Sequence, residues 1–411
     1  MRLPLVLVLA QRNLLRNTRR SLIMILAVAL GVWAMLVMAA FARGWLDQQL
    51  RATLDTLTGH VQIHAPGYLD DPALAHRLPA SGAGPGAGLL RDPQVVAWAQ
   101  RLRVPAVVAS ERDSAGVTLV GIDPRRERGL SFIGAQEAIA AGRGLQGPGD
   151  TGLVLGRRLA RRLETGVGRR VVLLSQDRNN EIVERGFRVV GLYRAEQREA
   201  EERFAFTGLA AAQSFLGVPG EVTELSLRLR APGRLQAWLA AARVRWPDLE
   251  ITPWTELAPL VVVFIRTFEG FMYIWFGVVF VIVGFGLVNT LLMAVFERTR
   301  EIGLLEALGM RPVQVVAQIL WEALLLLLAG AALGNLLAGA TRAWLAGGID
   351  LTRFAAGMEL FQSAHRIYLS LDPVDVLAAN LLVLVLGTAA AAYPAWRAAR
   401  IPPTRALRGL R

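Results

Sequence analysis

The sequence predicts an α-helical membrane domain of four transmembrane helices with a large mixed α/β extracytoplasmic domain inserted between helices 1 and 2. Three observations predict it: four long runs almost free of charge, one hydrophilic block of 227 residues between the first two of them, and arginines gathered at both ends. The composition agrees. Apolar residues make up 54% of the 411 and charged residues 19%, against about 45–50% and about 25% in soluble domains.

Each element follows from the pattern in turn. Residues 1–20 carry Arg2, Arg12, Arg16, Arg19 and Arg20 and no acid. Leu3–Leu15 is apolar with Arg12 and Arg16 four apart, the pattern of a helix lying in the cytoplasmic interface. The first span, 21–42, is uncharged between Arg20 and Arg43 and reaches about 33 Å, enough for a hydrocarbon core of about 30 Å. Ala40-Phe41-Ala42 could end a signal peptide, but the apolar stretch exceeds the 7–15 residues such signals use, so an uncleaved anchor is expected. The second span is 270–296, the third 312–341, interrupted only by Glu322, and the fourth 376–396. Four spans put both termini on one side, and the positive-inside rule makes that side cytoplasmic. The 297–311 loop is then cytoplasmic and the 342–375 loop external. Residues 397–411 form a basic cytoplasmic tail.

The block 43–269 reads as mixed α/β. Candidate strands are His60–His64, Val104–Val108, Val117–Ile122, Gly152–Leu155, Val171–Leu174, Phe187–Leu192 and Glu224–Leu229. Candidate helices are Pro93–Leu102, Arg157–Glu164, Leu209–Leu216 and Gly233–Val244. Pro79–Gly88 is a flexible loop by composition, and helical stalks are expected at Gly44–Leu57 and Trp254–Phe268.

Several chemistries are excluded by residue type. There is no cysteine, hence no disulfide, thiolate zinc site or Cys nucleophile. There is no lysine either, and a Walker A loop needs one on the phosphates, so this chain is not expected to hydrolyse ATP by itself. The net charge of +12 lies almost wholly at the two ends, not across a folded face as nucleic-acid binding requires. Gly142-Arg-Gly144-Leu-Gln-Gly147 spells a dinucleotide fingerprint, but it follows a helix-like Gln136–Ala141 and runs into Pro148, so a turn is expected. His60 and His64 face one way in a strand without a third ligand, and no metal is expected. No catalytic residue is assigned.

Inside the spans Glu322 is the one ionisable group. With no second acid for a proton relay, it is expected near the cytoplasmic end of its span, paired with an arginine of the neighbouring loop. Gly330-Ala-Ala-Leu-Gly334 is a small-xxx-small face for helix packing. The spans offer little to line an aqueous pore. The informative loop is Glu297–Arg311, ERTREIGLLEALGMR. Ile302, Leu305 and Leu308 fall at helical spacing, with Glu297, Arg298, Arg300, Glu301 and Glu306 on the other side. Gly309 stops the helix and Pro312 opens the next. Such a short amphipathic helix calls for a groove on a partner; an interfacial turn is the alternative that its charge would also satisfy.

Taken together, these residues resemble the FtsX/MacB-type ABC transporter permeases, of type VII architecture. The resemblance is carried by Arg12-Asn13-x-x-Arg16 before span one, by the segment E-R-T-R-E-I-G-L-L-E-A-L-G after span two, and by Tyr393-Pro394-Ala395-Trp396-Arg397-Ala398 at the end. Val120-Gly121-Ile122-Asp123-Pro124 and Leu155-Gly156-Arg157-Arg158-Leu159-Ala160 are similar to the lipoprotein-releasing (LolC/LolE) branch. The resemblance implies that Glu297, Arg298, Thr299, Arg300, Glu301, Ile302, Gly303, Leu304, Leu305, Glu306, Leu308 and Gly309 form a coupling helix. It would dock on a separate LolD- or MacB-like cassette ATPase, where ATP and magnesium would bind, with no cofactor in this chain. A second permease chain, the same or a sister, would complete the assembly. The function implied is mechanotransmission: extraction of lipoprotein or another amphiphile from the outer face of the bacterial inner membrane. An acylated cargo would want an apolar cavity, with Trp33, Leu36, Val37 and Ala40 on span one and Phe268, Phe271, Met272 and Trp275 on span two as candidates. Ser175–Arg185 is short for the projecting hairpin with which LolC-like members recruit a periplasmic chaperone. The alternatives are an FtsX-like subunit relaying ATPase strokes to an envelope partner without moving cargo, and a membrane sensor with no ATPase.

Overall fold

The computed structural model describes residues 3–80, 88–195, 197–350 and 366–400. The described residues divide into two compact units, one of residues 3–47, 264–350 and 366–400, the other within residues 48–263.

The first unit is helical. α1 (Leu3–Arg16) ends at Asn17, and α2 (Thr18–Thr53), α9 (Pro259–Glu297), α11 (Pro312–Trp344) and α12 (Pro373–Ala398) are, among the described residues, the four helices long and apolar enough to cross a membrane. The short α10 (Thr299–Ala307) joins α9 to α11. All four long helices outrun the uncharged segments on which they were recognised. The Gly330–Gly334 face does what its small residues permit: a Cβ at Gly330 would lie 2.6 Å from Val28, and one at Gly334 2.7 Å from the Ala29 carbonyl. Backbones thus approach closely where α11 crosses α2. Gly31 is equally tight against Val283 of α9. The core between the helices is Met24, Val28, Val32, Met35, Leu287, Leu327 and Val383 with their neighbours. One feature was not legible: Asn335 and Asn380 exchange side-chain hydrogen bonds of 2.8 and 3.1 Å between α11 and α12, and each also donates to a carbonyl four residues back. At the other end of the bundle, Arg43 of α2 grips Asp375 of α12 through two nitrogens. A two-strand ladder, β13 (Ile349–Asp350) with β14 (Arg366–Ile367), closes the 342–375 connection, whose centre lies outside the described residues. The tail beyond Arg400 and most of the Pro79–Gly88 loop also lie outside them.

The second unit is built on a ten-stranded mixed sheet. Its strands are β1 (Val61–His64), β3 (Val95–Ala109), β4 (Ser114–Ile122), β5 (Ile139–Gly142), β6 (Leu153–Gly156), β7 (Arg170–Gln176), β8 (Ile182–Tyr193), β9 (Phe204–Gly208), β11 (Glu224–Leu229) and β12 (Glu250–Pro253). The path runs β12-β1-β11-β3-β4-β9-β6-β8-β5, with β7 bridging β3 and β8. Two short strands, β2 (Leu78–Pro79) and β10 (Glu221–Val222), pair apart from it. The helices are α3 (Pro124–Glu127), α4 (Arg157–Arg162), α5 (Arg198–Arg203), α6 (Leu209–Leu216), α7 (Leu235–Arg245) and α8 (Trp254–Leu257). α4 and α6 cover one face through Leu159, Ala212 and Phe215, over Leu102, Leu119, Leu155 and Phe187.

Two local expectations are corrected. Pro93–Leu102 is not a helix: it is the first half of β3, fifteen residues long, antiparallel to β11 from Val95 to Arg101 and to β4 from Arg101 onward. Val95, Ala99 and Leu102 fit a helical period, but Val95, Val96 and Trp98 favour a strand, and pairing with β11 decides the outcome. Gln136–Ala141 is not helix-like beyond one tight turn at Gln136–Ala138; Ile139–Gly142 is β5. Of the expected stalks, α2 continues to Thr53. There a single wide turn, Leu54–Thr58, forces Leu57 to φ 70° before β1 begins. On the return, α8 and α9 are separated by a break at Ala258.

Candidate functional site

The site is the α10 corner of the helical unit. Arg298 leaves helical geometry (φ −102°, ψ 10°) and turns the chain out of α9 into α10. Gly309 ends α10 at φ 96°, and two hydrogen bonds close the helix behind it: the Met310 amide donates to the Leu305 carbonyl and the Gly309 amide to that of Glu306. A left-handed residue is required at this position, which is why glycine stands there. Pro312 then opens α11 at its first turn, where a missing N–H costs nothing.

The corner is tied on its inner side to three other helices. Arg16 of α1 reaches both carboxylate oxygens of Glu301 at 2.7 Å. Arg20 of α2 lies 2.5 Å from Glu297. Arg298, almost fully buried, sits 3.4 Å from Glu322 of α11 and donates to the Asn13 carbonyl at 3.1 Å. Glu322 therefore has the neighbouring-loop arginine expected from its place in the span. Ile302 and Leu305 pack on Val295, Met310, Val315 and Ile319. Between α10 and the bundle lies a cavity of about 270 Å³, bordered by Leu9, Asn13, Leu291, Leu305, Gln318 and Glu322.

The outer side is unlike the inner one. Arg300, Leu304, Ala307 and Leu308 are exposed, Leu308 at 78% and Leu304 at 53%. Leu308 thus leaves the face of Ile302 and Leu305 that its spacing assigned it to, because the chain is already unwinding towards Gly309. Gly303 is buried and Thr299 caps back onto the Val295 carbonyl. Glu306 has one carboxylate oxygen enclosed without a hydrogen-bond partner among the described residues, and that burial raises its pKa.

The apolar candidates of spans one and two divide. Leu36, Ala40 and Met272 are buried in the bundle core. Trp33 donates to Thr341 Oγ1 of α11 at 2.9 Å. Val37, Phe268 and Trp275 are partly buried, and Phe271 is half exposed. Phe268 also stands 5.1 Å from Trp45 and 6.1 Å from Phe264.

In the inserted α/β unit, Gly142–Gly147 makes a turn after β5, held by Asp150. Its carboxylate takes hydrogen bonds from Arg143, the Gln146 amide and the Gly152 amide. His60 accepts from the Leu229 amide, and His64 stacks on Tyr68 with its ring bonded to the Thr223 carbonyl. Among the described residues no group of three or more His, Asp or Glu has metal-holding geometry. β7 and β8 form a tight hairpin through Asp177–Glu181, with no projecting arm.

Comparison with known proteins agrees with this architecture. Residues 21–244 match the MacB-like periplasmic core domain and residues 273–403 the FtsX-like permease C-terminal domain. The chain belongs to this FtsX/MacB-type permease family, as a multi-pass membrane protein with an inserted α/β domain. Among its relatives is the lipoprotein-releasing system transmembrane protein LolC of Xylella fastidiosa, 26% identical over 403 residues, which cover 94% of this chain and 93% of that one. The corresponding LolE of Haemophilus influenzae is 24% identical, covering 93% and 92%. The macrolide export ATP-binding/permease protein MacB of Escherichia coli is 36% identical over 142 residues, 34% of this chain and 20% of that one. The periplasmic region of MacB from Actinobacillus actinomycetemcomitans aligns in structure over 51% of this chain and 95% of its own, at 10% identity and a TM-score of 0.34.

Proposed function

We propose that this chain is the non-catalytic permease subunit of a lipoprotein-releasing ABC transporter, with α10 as the lever on which a separate cassette ATPase acts. The carrying observation is the two-sided α10 corner. Three ion pairs, one buried and two reaching the surface, hold the corner to α1, α2 and α11, while its outer face offers Arg300, Leu304, Ala307 and Leu308 to a partner. A stroke applied there would move three helices together. The near full-length similarity to LolC and LolE proteins supports a lipoprotein or similar amphiphile as cargo. It would be taken from the outer leaflet of the inner membrane, between spans one and two of facing subunits, where Phe271 and Trp275 would meet it. The short β7–β8 hairpin favours release without a chaperone-catching arm. ATP and magnesium would bind the partner ATPase, and a second permease chain would complete the complex.

The test replaces Leu304 and Leu308 together by Glu. The variant should still insert and keep its unfolding temperature, because both side chains face outward. It should lose co-purification with the cassette ATPase and ATP-driven release from reconstituted vesicles. Retention of both would refute the lever.

A further inference from the structure

The far end of the sheet carries a feature that the transport cycle does not use. β5 is the terminal strand, and β8 is its only partner strand among the described residues. Its sequence, Ile-Ala-Ala-Gly, has three exposed residues and neither a charge nor a proline; its four-residue length and its bulge limit, but do not cover, the edge. The register slips at Ala140: Ile139 faces Tyr193 and Ala141 faces Leu192. Such a bulge leaves one residue out of the ladder and, with the short strand, sets the size of whatever adds to it.

Beside this edge opens a cavity of about 830 Å³, within the range of about 300–1,000 Å³ usual for binding pockets. Ile122, Ile133 and Val154 form its floor, and three arginines, Arg125, Arg128 and Arg143, stand on its walls. Arg143 is neutralised by Asp150 at 2.6 Å. Arg125 and Arg128 are exposed, and no carboxylate of the described residues is paired with either. Asp123, the nearest acid in sequence, is turned to the Arg125 amide as the cap of α3, and Glu127 is buried against Arg101. The wall therefore has two uncompensated positive charges next to an open backbone edge and an apolar floor.

We infer that β5 and its arginine-walled cavity form a docking site for a short, extended, acidic segment of a partner protein. The segment adds as a strand to β5, and its carboxylates meet Arg125 and Arg128. Backbone hydrogen bonds supply affinity in this mode and alternate side chains supply specificity; guanidinium–carboxylate pairs are among the stronger hydrogen bonds available for it. The site is independent of which cargo the permease moves, and it lies on different strands from the β7–β8 hairpin.

The experiment uses the full chain in nanodiscs of neutral lipid and a fluorescent peptide, acetyl-Asp-Val-Asp-Val-Asp-amide, read by anisotropy. The peptide should bind, and Arg125→Ala with Arg128→Ala should weaken it at least tenfold, with Lys at both positions retaining most of the affinity. The Asn counterpart and a backbone N-methylated version of the same peptide should each be at least tenfold weaker, the second because it loses strand pairing while the protein is unaltered. Absence of binding, equal binding of the Asn or N-methylated peptide, or an unchanged affinity in the Ala variant would overturn the site. Inorganic phosphate and phosphatidylglycerol vesicles serve as competitors. Displacement by either as effective as by unlabelled peptide would assign the arginines to a free anion or a lipid surface and would equally overturn it.

Discussion

Arg101 is fully buried, as are the two carboxylates it holds, Glu127 at 2.7 Å and Glu224 at 2.6 Å. It also donates to the carbonyl of Leu57, the positive-φ residue at the end of the wide turn after α2. Ser131 donates to Glu127 at 2.5 Å, and Arg103 lies 3.3 Å from Glu224. A buried pair of this kind adds little over an apolar core, but removing one partner strands the other charge, at about 3–5 kcal/mol. Arg101→Met should therefore destabilise the inserted unit by about that amount, read as a lowered unfolding temperature of the detergent-solubilised chain. A shift no larger than that of an exposed arginine variant would mean water reaches the cluster. The same groups set the pH response. Burial acts to raise the Glu224 carboxyl, but Arg101 and Arg103 overcome it and the net shift is downward. A carboxyl depressed in the fold stabilises above its ordinary range and gives that up as pH falls through the folded value. His60 and His64 are lowered by burial. They are held neutral, so the unfolded chain takes up protons first, and stability declines as pH drops below about 6.5. Unfolding temperatures should be flat from pH 8 to 7, fall below about 6.5, and fall further in the carboxylate range. A profile flat to pH 5 would show that neither histidine stays neutral in the fold.

At the scale of elements, what could be read in advance was what is decided locally. The end of α10 rests on Gly309 and the start of α11 on Pro312, whose backbone chemistry acts within a turn, and both were legible. So was the Gly330–Gly334 face, because a four-residue repeat of small side chains has one use in an apolar helix. It carries a sharp expectation. Gly330→Leu would drive a side chain into Val28 and should destabilise the bundle by about 1–3 kcal/mol. Gly339→Leu on the same helix meets nothing within 4 Å and should be silent. Equal unfolding temperatures for the two variants would disprove the packing. The illegible elements depend on distant partners. The first half of β3 carries a helical spacing, and β11, which fixes it as a strand, comes more than a hundred residues later. Nothing local marks Arg101 as a buried charge for the same reason: Glu224 lies 123 residues further along the chain. Of the α10 site, the segment and the pairing of Glu322 were readable. The Arg16 and Arg20 clamps were not, since they come from how separate helices pack; nor was the outward turn of Leu308, whose spacing fits the inner face until the chain unwinds before Gly309.

For the whole molecule, the proposed function stands on orientation. Exposed ion pairs such as Arg16–Glu301 contribute little stability, about 0–1 kcal/mol, so the clamps matter as connections between helices and only if α10 faces the compartment that holds ATP. Arginines crowd residues 1–20 and 397–411 without a single acid, and the bias of short flanking segments sets topology while long domains translocate regardless. With four crossings, the orientation we propose has α10 inside and the inserted unit, with the β7–β8 hairpin, outside. The chain has no cysteine, so single replacements report directly. Asn179→Cys, in the exposed turn of that hairpin, should react with a membrane-impermeant maleimide in spheroplasts. Leu308→Cys should react only after the membrane is opened, and then less when the cassette ATPase is co-expressed, because the partner would cover it. Labelling of Leu308→Cys in sealed spheroplasts would invert the topology and remove the lever. Correct sidedness without protection by the ATPase would keep the topology and reject the docking face.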